Sequence, residues 1–173
     1  MEPFIGFSVF IIFAIIMVYT GNKNLHSHQE TVINSLGPHT ILYIEQIKPN
    51  TFFMGTGIKA YSFRRCDLIL TEDALVFLGR EEDNLVFKNY TRPIILTSDY
   101  NKYKDFIPFC TFLEIFSIEI VDGNIKLKFG KKGLSGIDCR VILDCLTTDE
   151  TNLIKEVAIK NNWKSPYYNT IHP

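Results

Sequence analysis

The sequence predicts an α+β protein that is mainly β, with one transmembrane helix at the N-terminus and a capping helix at the C-terminus. Three observations support this fold class. Aromatic residues make up 13% of the chain, mostly Phe and Tyr, and together with many Ile, Leu and Val they favour strands. The start of the chain holds one long apolar run. Residues 147–161 carry an apolar pattern with helical spacing.

Length and charge limit the organisation of the chain and its partners. The 173 residues are 46% hydrophobic, which suits one globular domain plus an attachment and excludes wholesale disorder. Eighteen basic residues against nineteen acidic ones leave a formal net charge of -1, so the chain has no overall field that would attract nucleic acid. We therefore expect no nucleic-acid partner. A partner that is bound through charge must contact a local charged patch.

Residues 3–20 predict a helix that spans a membrane. The run has no charged side chain, and a helix of this length is roughly 27 Å long against a hydrocarbon layer of about 30 Å. Its apolar residues lie all round, which argues against a helix lying on a membrane surface or half buried in a core. A cleaved signal peptide and a buried core helix are the alternatives. The first fits poorly, because Glu2 is the only side-chain charge before the run and Val18-Tyr19-Thr20 is a poor cleavage site.

The flanking charge favours a cytoplasmic globular domain. Lys23 follows the apolar run, and positive residues favour the inner side of a membrane. The four cysteines, Cys66, Cys110, Cys139 and Cys145, show no close-paired spacing, and the last two are too far apart on one predicted strand for a disulfide. We expect four buried thiols, in keeping with that compartment.

The remainder of the chain divides into a linker, a domain and a tail. With residues 1–20 as the transmembrane helix, the polar residues 21–29 predict a juxtamembrane linker, residues 30–163 the globular domain and residues 164–173 a tail. The domain starts with a short helix over residues 31–36, which Gly37-Pro38 ends because proline cannot continue a helix.

Short strand-like runs follow, and we expect about seven antiparallel strands from them. Residues 71–73 form a turn-length link, and Asp122-Gly123 is a strong hairpin signal. The strand after that turn alternates apolar and basic residues, so one face should be buried and the other exposed to solvent. The runs are 41–47, 52–54, 58–63, 66–70, 74–78, 85–88, 93–97, 111–121, 125–129 and 137–146.

A C-terminal amphipathic helix completes the domain. Thr147 is a suitable N-cap, and Glu150 three residues later completes a capping box. Leu153, Ile154, Val157 and Ala158 share one face, and Asn161-Asn162 ends the helix.

This order of elements resembles the pleckstrin-homology-like (PH-like) superfold. Residues 59–77, with a strand that ends in Leu70-Thr71, a polar turn and an aliphatic–aromatic strand, resemble the GRAM-type and bacterial PH-like pattern. The resemblance covers about residues 40–163 and implies an antiparallel sheet or partly open barrel with a C-terminal capping helix. It also implies an interaction module that binds lipid headgroups or peptides, or acts as a scaffold, rather than an enzyme. Phosphoinositide-binding members cluster basic residues between their first two strands. The comparable residues here, Lys59, Arg64 and Arg65, are spaced differently.

No catalytic, cofactor or metal site is predicted. Residues 55–60 fit a GxGxxA dinucleotide fingerprint, but that fingerprint needs a following helix and β-type residues follow instead. Two histidines, His26 and His28, lie two apart in the predicted linker, and His39 and His172 are isolated, so zinc-site spacing is lacking.

The best candidate for a functional surface is a lysine cluster, Lys126, Lys128, Lys131 and Lys132, with Lys59, Arg64 and Arg65 as further candidates. A lysine near an anionic membrane surface contributes about 1 kcal/mol to binding. An ordinary solvated strand face is the alternative explanation.

Three hypotheses about function follow. The favoured one is a membrane-anchored, non-catalytic interaction or scaffold module that binds a protein partner or the bilayer surface and is held by residues 3–20. The second is an exported or periplasmic β-domain with a signal or an outward-facing anchor. The third is a small enzyme whose site is assembled from residues distant in the sequence.

Overall fold

The computed structural model describes residues 2–54, 63–81, 89–105, 107–121, 123–131 and 137–163. The fold class is as predicted, mixed α+β and mainly strands. The elements are α1 (Glu2–Leu36), a 3₁₀ turn (Gly37–His39), β1 (Thr40–Ile47), β2 (Asn50–Met54), β3 (Arg65–Thr71), β4 (Ala74–Arg80), β5 (Ile94–Thr97), α2 (Tyr100–Lys104), β6 (Thr111–Val121), β7 (Asn124–Lys131), β8 (Ile137–Leu143) and α3 (Thr148–Lys160).

The strands form one eight-stranded sheet in the order β1-β3-β4-β5-β6-β7-β8-β2. Neighbours are antiparallel except β5 and β6, which are parallel because the connection through α2 carries the chain back to the same end of the sheet. The strands β1 and β2 lie at opposite edges, yet only Lys48 and Pro49 separate them. The Cα atoms of Ile47 and Asn50 are therefore at most about 11 Å apart. The sheet must curl until its edges meet at this point, which produces a half-barrel.

The main core fills the inside of the curled sheet, and α3 covers it. The predicted capping box is present: Thr147 Oγ1 accepts a hydrogen bond from Glu150 N (3.3 Å), and Thr147 N donates to Glu150 Oε2 (2.7 Å). Ile154 and Val157 of α3 are buried against inward-facing side chains of the strands. Packing of α3 over the open side therefore completes the core.

A second core lies on the outer face of β3, β4 and β5. Val32 and Leu36 of α1 pack there against alternate strand residues such as Val76, and Tyr103 of α2 joins them. Because β3 to β5 are covered on both faces, their residues form nearly continuous buried runs, as the burial of Ala74 to Gly79 shows.

The largest departure from the sequence-based expectation is at residues 21–29. They were predicted to be a linker, but they are helical, and α1 continues without a break to Leu36, where Gly37-Pro38 ends it as expected. The short helix expected over 31–36 is the last part of α1. The helix α2 was not predicted. Residues 58–62 of the predicted run 58–63, the predicted run 85–88 and the tail 164–173 lie outside the described residues, and Phe63 is buried but not in a strand.

Candidate functional site

The first half of α1 is apolar and exposed. Its large side chains from Phe7 to Tyr19 are more than two fifths exposed, for example Phe10 at 68%. Among the described residues this is the one helix long and apolar enough to cross a membrane, and its most apolar window is not buried against the rest of the chain. Full burial of a large apolar side chain stabilises a protein by about 1.5–3 kcal/mol. A side chain that stays half exposed to water therefore forgoes about 1 kcal/mol of this stabilisation.

The second half of α1 is packed against the domain. Leu25, Gln29, Val32 and Leu36 recur at helical spacing and form a stripe that faces the sheet. Gln29, Val32 and Leu36 are buried, and Leu25 is half buried. One continuous helix therefore joins an exposed apolar half to a half that belongs to the domain.

Polar contacts fix this packing at the end of the sheet where β4 finishes. Gln29 Nε2 donates hydrogen bonds to the carbonyl oxygens of Gly79 (2.8 Å) and Thr91 (2.9 Å). A Cβ on Gly79 would lie 2.5 Å from Thr91 Oγ1, so only glycine permits this close approach. Further along α1, Asn22 Oδ1 accepts a hydrogen bond from Tyr90 N (2.9 Å). We call these contacts the helix joint.

Aromatic and cationic groups extend the helix joint into the sheet. The ring of His26 packs edge-on against Tyr90, with centroids 4.4 Å apart. The guanidinium of Arg80 lies over the ring of Tyr90, 5.7 Å from the ring centroid. Arg80 in turn pairs with the carboxylate of Asp67 at 2.5 Å.

Asp67 is a buried carboxylate, 2% exposed, whose partners surround it. Besides Arg80, its oxygens accept hydrogen bonds from the backbone N–H of Gln46 (2.9 Å) and the hydroxyl of Tyr43 (3.3 Å). Gln46 has a φ of 55°, a left-handed backbone that its bond to Asp67 helps to hold. Burial and the Asp67 charge raise the pKa of Tyr43 to about 12, so its hydroxyl stays a donor at neutral pH.

Arg64 and Arg65 lie at the same end of the sheet as the helix joint. Arg65 is paired with Arg80 across β3 and β4, and Arg64 N donates to the carbonyl oxygen of Arg80 (3.1 Å). Arg64 is exposed and Arg65 is half buried. These two predicted residues are therefore next to the point where α1 leaves the domain. Lys59 lies outside the described residues.

Successive side chains of β7 point to opposite faces of the sheet, and this separates the members of the predicted lysine cluster. Lys126 and Lys128 face outward between the buried Ile125, Leu127 and Phe129, as the sequence predicted. Lys126 is paired with Glu119 of β6, and Lys128 with Ser117 of β6 and Arg140 of β8.

The other two lysines of the cluster do not join them. Lys131 is exposed at the end of β7 but shares the alternation of the inward-facing Phe129, and Lys132 lies outside the described residues. Because β4, β5 and β6 separate β3 from β7, the structure does not bring Arg64 and Arg65 beside Lys126 and Lys128.

Comparisons of this chain with family models, with curated proteins and with solved structures find no match. The curled sheet and the C-terminal helix are compatible with the PH-like fold that the sequence resembles.

A second polar cluster holds α2 to the turn between β3 and β4. Asp73 accepts hydrogen bonds from Lys102 Nζ (2.7 Å) and from the hydroxyl of Tyr103. Partial burial raises the pKa of Asp73, but the bonds from Lys102, Tyr103 and Thr71 outweigh it, and the net pKa is lowered. Burial and Asp73 raise the pKa of Tyr103. The cluster therefore acts as a clamp for α2.

Burial limits the reactivity of three of the four cysteines. None of the four cysteines forms a disulfide, and Cys66, Cys110 and Cys139 are buried as predicted. The prediction was wrong for Cys145, which is exposed because β8 ends at Leu143, before it. Burial raises the pKa of Cys66 well above its usual value and that of Cys110 to about 12, which suppresses the reactive thiolate. Within the described ranges, no three His, Cys, Asp or Glu side chains gather in a group that could hold a metal ion.

Two features of the site were not predicted although the sequence signals them. Asn22, His26 and Gln29 lie at helical spacing and continue into Val32, which indicates one helix face rather than a linker. Asp67 interrupts an apolar run over 66–70, and a charge in such a run indicates a buried, partnered carboxylate. Its partner Arg80 requires the strand register, which the sequence does not give.

Proposed function

We propose that this chain is a membrane-anchored, non-catalytic interaction module, whose domain is held in a fixed orientation and binds the bilayer surface or a protein partner. One observation carries the proposal: α1 is a single helix with an exposed apolar half and a half docked on the domain. An anchor and a domain that share a helix have no hinge between them.

The length of α1 supports this arrangement. The hydrocarbon core takes about 20 helical residues over about 30 Å, and the 35 residues of α1 leave about 15 outside it. Those residues begin near Asn22, where the helix joint starts. The end of the domain that carries Tyr90 and the helix joint therefore lies at the level of the lipid headgroups.

Arg64 and Arg65 are the predicted basic residues that this orientation brings to the bilayer. They lie beside Arg80 at the headgroup level, and Lys23 is exposed on α1 at the same level. Basic residues near an anionic leaflet contribute about 1 kcal/mol each. We infer that these three side chains make the bilayer contact.

The outward lysines of β7 belong to another part of the sheet. Lys126 and Lys128 lie on its outer face, and β4, β5 and β6 separate β7 from β3. Lys126 is opposite Glu119, and Lys128 is opposite Ser117 and Arg140. We propose that this face contacts a protein partner rather than the lipid.

The non-catalytic part of the proposal is supported by how the charged groups are used. The buried carboxylate Asp67 is held by Arg80, Gln46 and Tyr43, and Asp73 is held by α2. These contacts support structure, and the raised pKa values of Cys66 and Cys110 disfavour covalent chemistry.

The deciding experiment is membrane fractionation of the full chain with charges placed in α1. The variant Ile12→Lys/Ile16→Lys puts two charges into the predicted span, each costing about 2.5–3.5 kcal/mol in a bilayer centre. The matched control is Val121→Lys/Ile159→Lys, because both side chains are exposed on the domain. We expect the wild type and the control to resist alkaline extraction and the helix variant to be released. A wild type that is soluble without detergent, or a helix variant that stays in the membrane, would contradict the anchor.

The orientation has its own test. Lys23 and the reduced state of the four cysteines favour a cytoplasmic domain. Cys145 is exposed, so a membrane-impermeant maleimide should leave it unlabelled on intact cells and label it after lysis. Labelling of intact cells would show an outward-facing domain.

A further inference from the structure

Two arginines lie directly opposite each other at the end of the sheet that carries the helix joint. Arg65 of β3 and Arg80 of β4 are paired across the strands, so their side chains project from the same face. This is the outer face, because Arg80 follows the alternation of Leu78, which packs in the second core. Like charges at opposite positions destabilise a sheet, so this pair favours an anion between the two side chains.

The protein itself balances one charge of this pair. Asp67 Oδ2 lies 2.5 Å from Arg80 Nη2, and Asp67 is held on its other sides by Tyr43 and Gln46. Arg65 is half buried, and within the described ranges its guanidinium has no ion pair or hydrogen bond. The Nε of Arg80 is also buried without an acceptor. Because a partly buried cation without a partner is unfavourable, the positive charge of Arg65 favours a bound anion.

The helix joint sets the depth of this pair in the anchored state. Tyr90 contacts Asn22 and His26 of α1, and the guanidinium of Arg80 lies over its ring. Asn22 and His26 are about 3 Å and about 9 Å beyond residue 20 along the helix, at about 1.5 Å per residue. The headgroup layer is about 5–8 Å thick on each side of a bilayer. The arginine pair therefore lies at the depth of the lipid phosphates.

We propose that Arg65 and Arg80 bind the phosphate of a phospholipid headgroup that carries no cationic group, such as phosphatidylglycerol. The planar fork of a guanidinium matches two oxygens of a phosphate. A choline or ethanolamine group would bring a further positive charge beside two arginines, so lipids with these groups bind more weakly. This inference rests on the proposed function, because the anchor sets the depth at which the pair meets the lipid.

Native mass spectrometry of the full chain in a non-ionic detergent measures this binding. Phosphatidylglycerol and phosphatidylcholine are titrated separately, and the bound fraction gives a Kd for each lipid. Arg65→Gln removes the charge, and Arg65→Lys keeps the charge but replaces the planar fork by an ammonium group. The matched control is Arg92→Gln, which removes one charge from an exposed arginine just before β5. Arg80 stays unchanged, because its ion pair with Asp67 supports the fold.

The wild type should bind phosphatidylglycerol at least about 10-fold more tightly than phosphatidylcholine. Arg65→Gln should weaken phosphatidylglycerol binding at least about 10-fold and Arg65→Lys at least about 3-fold, whereas Arg92→Gln should stay within about 2-fold. Melting curves followed by circular dichroism verify that the variants are folded, and Arg65→Lys decides the outcome if Arg65→Gln unfolds.

Equal losses in Arg65→Gln and Arg92→Gln, full binding in Arg65→Lys, or no preference for phosphatidylglycerol would overturn the proposal. Displacement of the lipid by millimolar inorganic phosphate would also overturn it, because the site would then serve a free anion. A chain that is released by alkaline extraction but still binds phosphatidylglycerol through Arg65 would refute the anchor and leave the phosphate site in place. A chain that resists extraction but binds this lipid without Arg65 would refute the site and leave the anchor in place.

Discussion

Replacing Gln29 by alanine tests whether the second half of α1 is part of the domain. Gln29 is buried, and its amide donates two hydrogen bonds, at 2.8 and 2.9 Å, to the carbonyl oxygens of Gly79 and Thr91. If residues 21–29 were a linker, the substitution would change nothing. In the docked helix, it removes both bonds and leaves a gap beside Gly79.

The magnitude follows from the two lost bonds. Leaving a buried carbonyl without its donor costs about 1–3 kcal/mol, and the Gly79 oxygen retains a bond from Thr91 N (2.9 Å), which reduces its share. We expect Gln29→Ala to lower the free energy of unfolding by about 2–4 kcal/mol. For a domain of this size that corresponds to a fall in Tm of about 5–15 °C.

The assay is thermal and urea unfolding of the full chain in detergent, followed by circular dichroism. The matched control is Glu30→Ala, which removes an exposed side chain next to Gln29 whose ion pair with His26 is also largely exposed. Such pairs contribute about 0–1 kcal/mol, so the control should unfold close to the wild type. If Gln29→Ala also unfolds within about 0.5 kcal/mol of the wild type, the helix joint does not stabilise the domain and the reasoning fails.

Three further predictions concern charges and thiols. Asp67→Asn removes the buried charge that Arg80 pairs with, and should lower the free energy of urea unfolding by about 3 kcal/mol; a loss under about 1 kcal/mol would show that the pair is not buried in solution. The lowered pKa of Asp73 means that its contribution to stability is fully present above the unfolded value near 4 and is lost as pH falls through the lower folded value. Asp73→Asn should therefore flatten the fall in unfolding free energy between about pH 5 and pH 2, and an unchanged slope would contradict the clamp on α2. Finally, one thiol, Cys145, should react rapidly with an aromatic disulfide reagent in the native chain, with the others reacting only after unfolding, and two or more rapid thiols would contradict the burial.

Local signals in the sequence were sufficient for many element boundaries. The strand β6 has the predicted bounds 111 and 121, and the capping box of Thr147 and Glu150 starts α3 where expected. Alternation correctly placed Lys126 and Lys128 on the outer face of β7. Each of these features depends on residues close together in the chain, so a short window contains the information.

Features set by long-range pairing could not be predicted in this way. The parallel pairing of β5 with β6 depends on where the chain returns after α2, and the closure of the sheet depends on β1 and β2 lying at opposite edges. The ion pair of Asp67 and Arg80 likewise depends on the β3–β4 register.

The linker over residues 21–29 was wrong for a different reason. Its Gly, Asn, Ser and His residues have modest helix propensity, and tertiary packing overrides that preference. The sheet supplies hydrogen bonds to Gln29 and Asn22, and a buried surface to Val32. Polar composition alone suggested a flexible tether, whereas spacing along a helix indicated a docked face.

In the proposed anchored state, the unbroken course of α1 has a consequence for how the domain responds to the membrane. A spanning helix adjusts to a thinner bilayer by tilting, commonly by about 20°. With the helix joint intact, a tilt of that size carries the domain with it and shifts points about 20 Å above the headgroups sideways by about 7 Å. Lipid composition would then set which side of the domain leans toward the bilayer, and the anchor would serve as a lever whose angle depends on the thickness of the membrane around it.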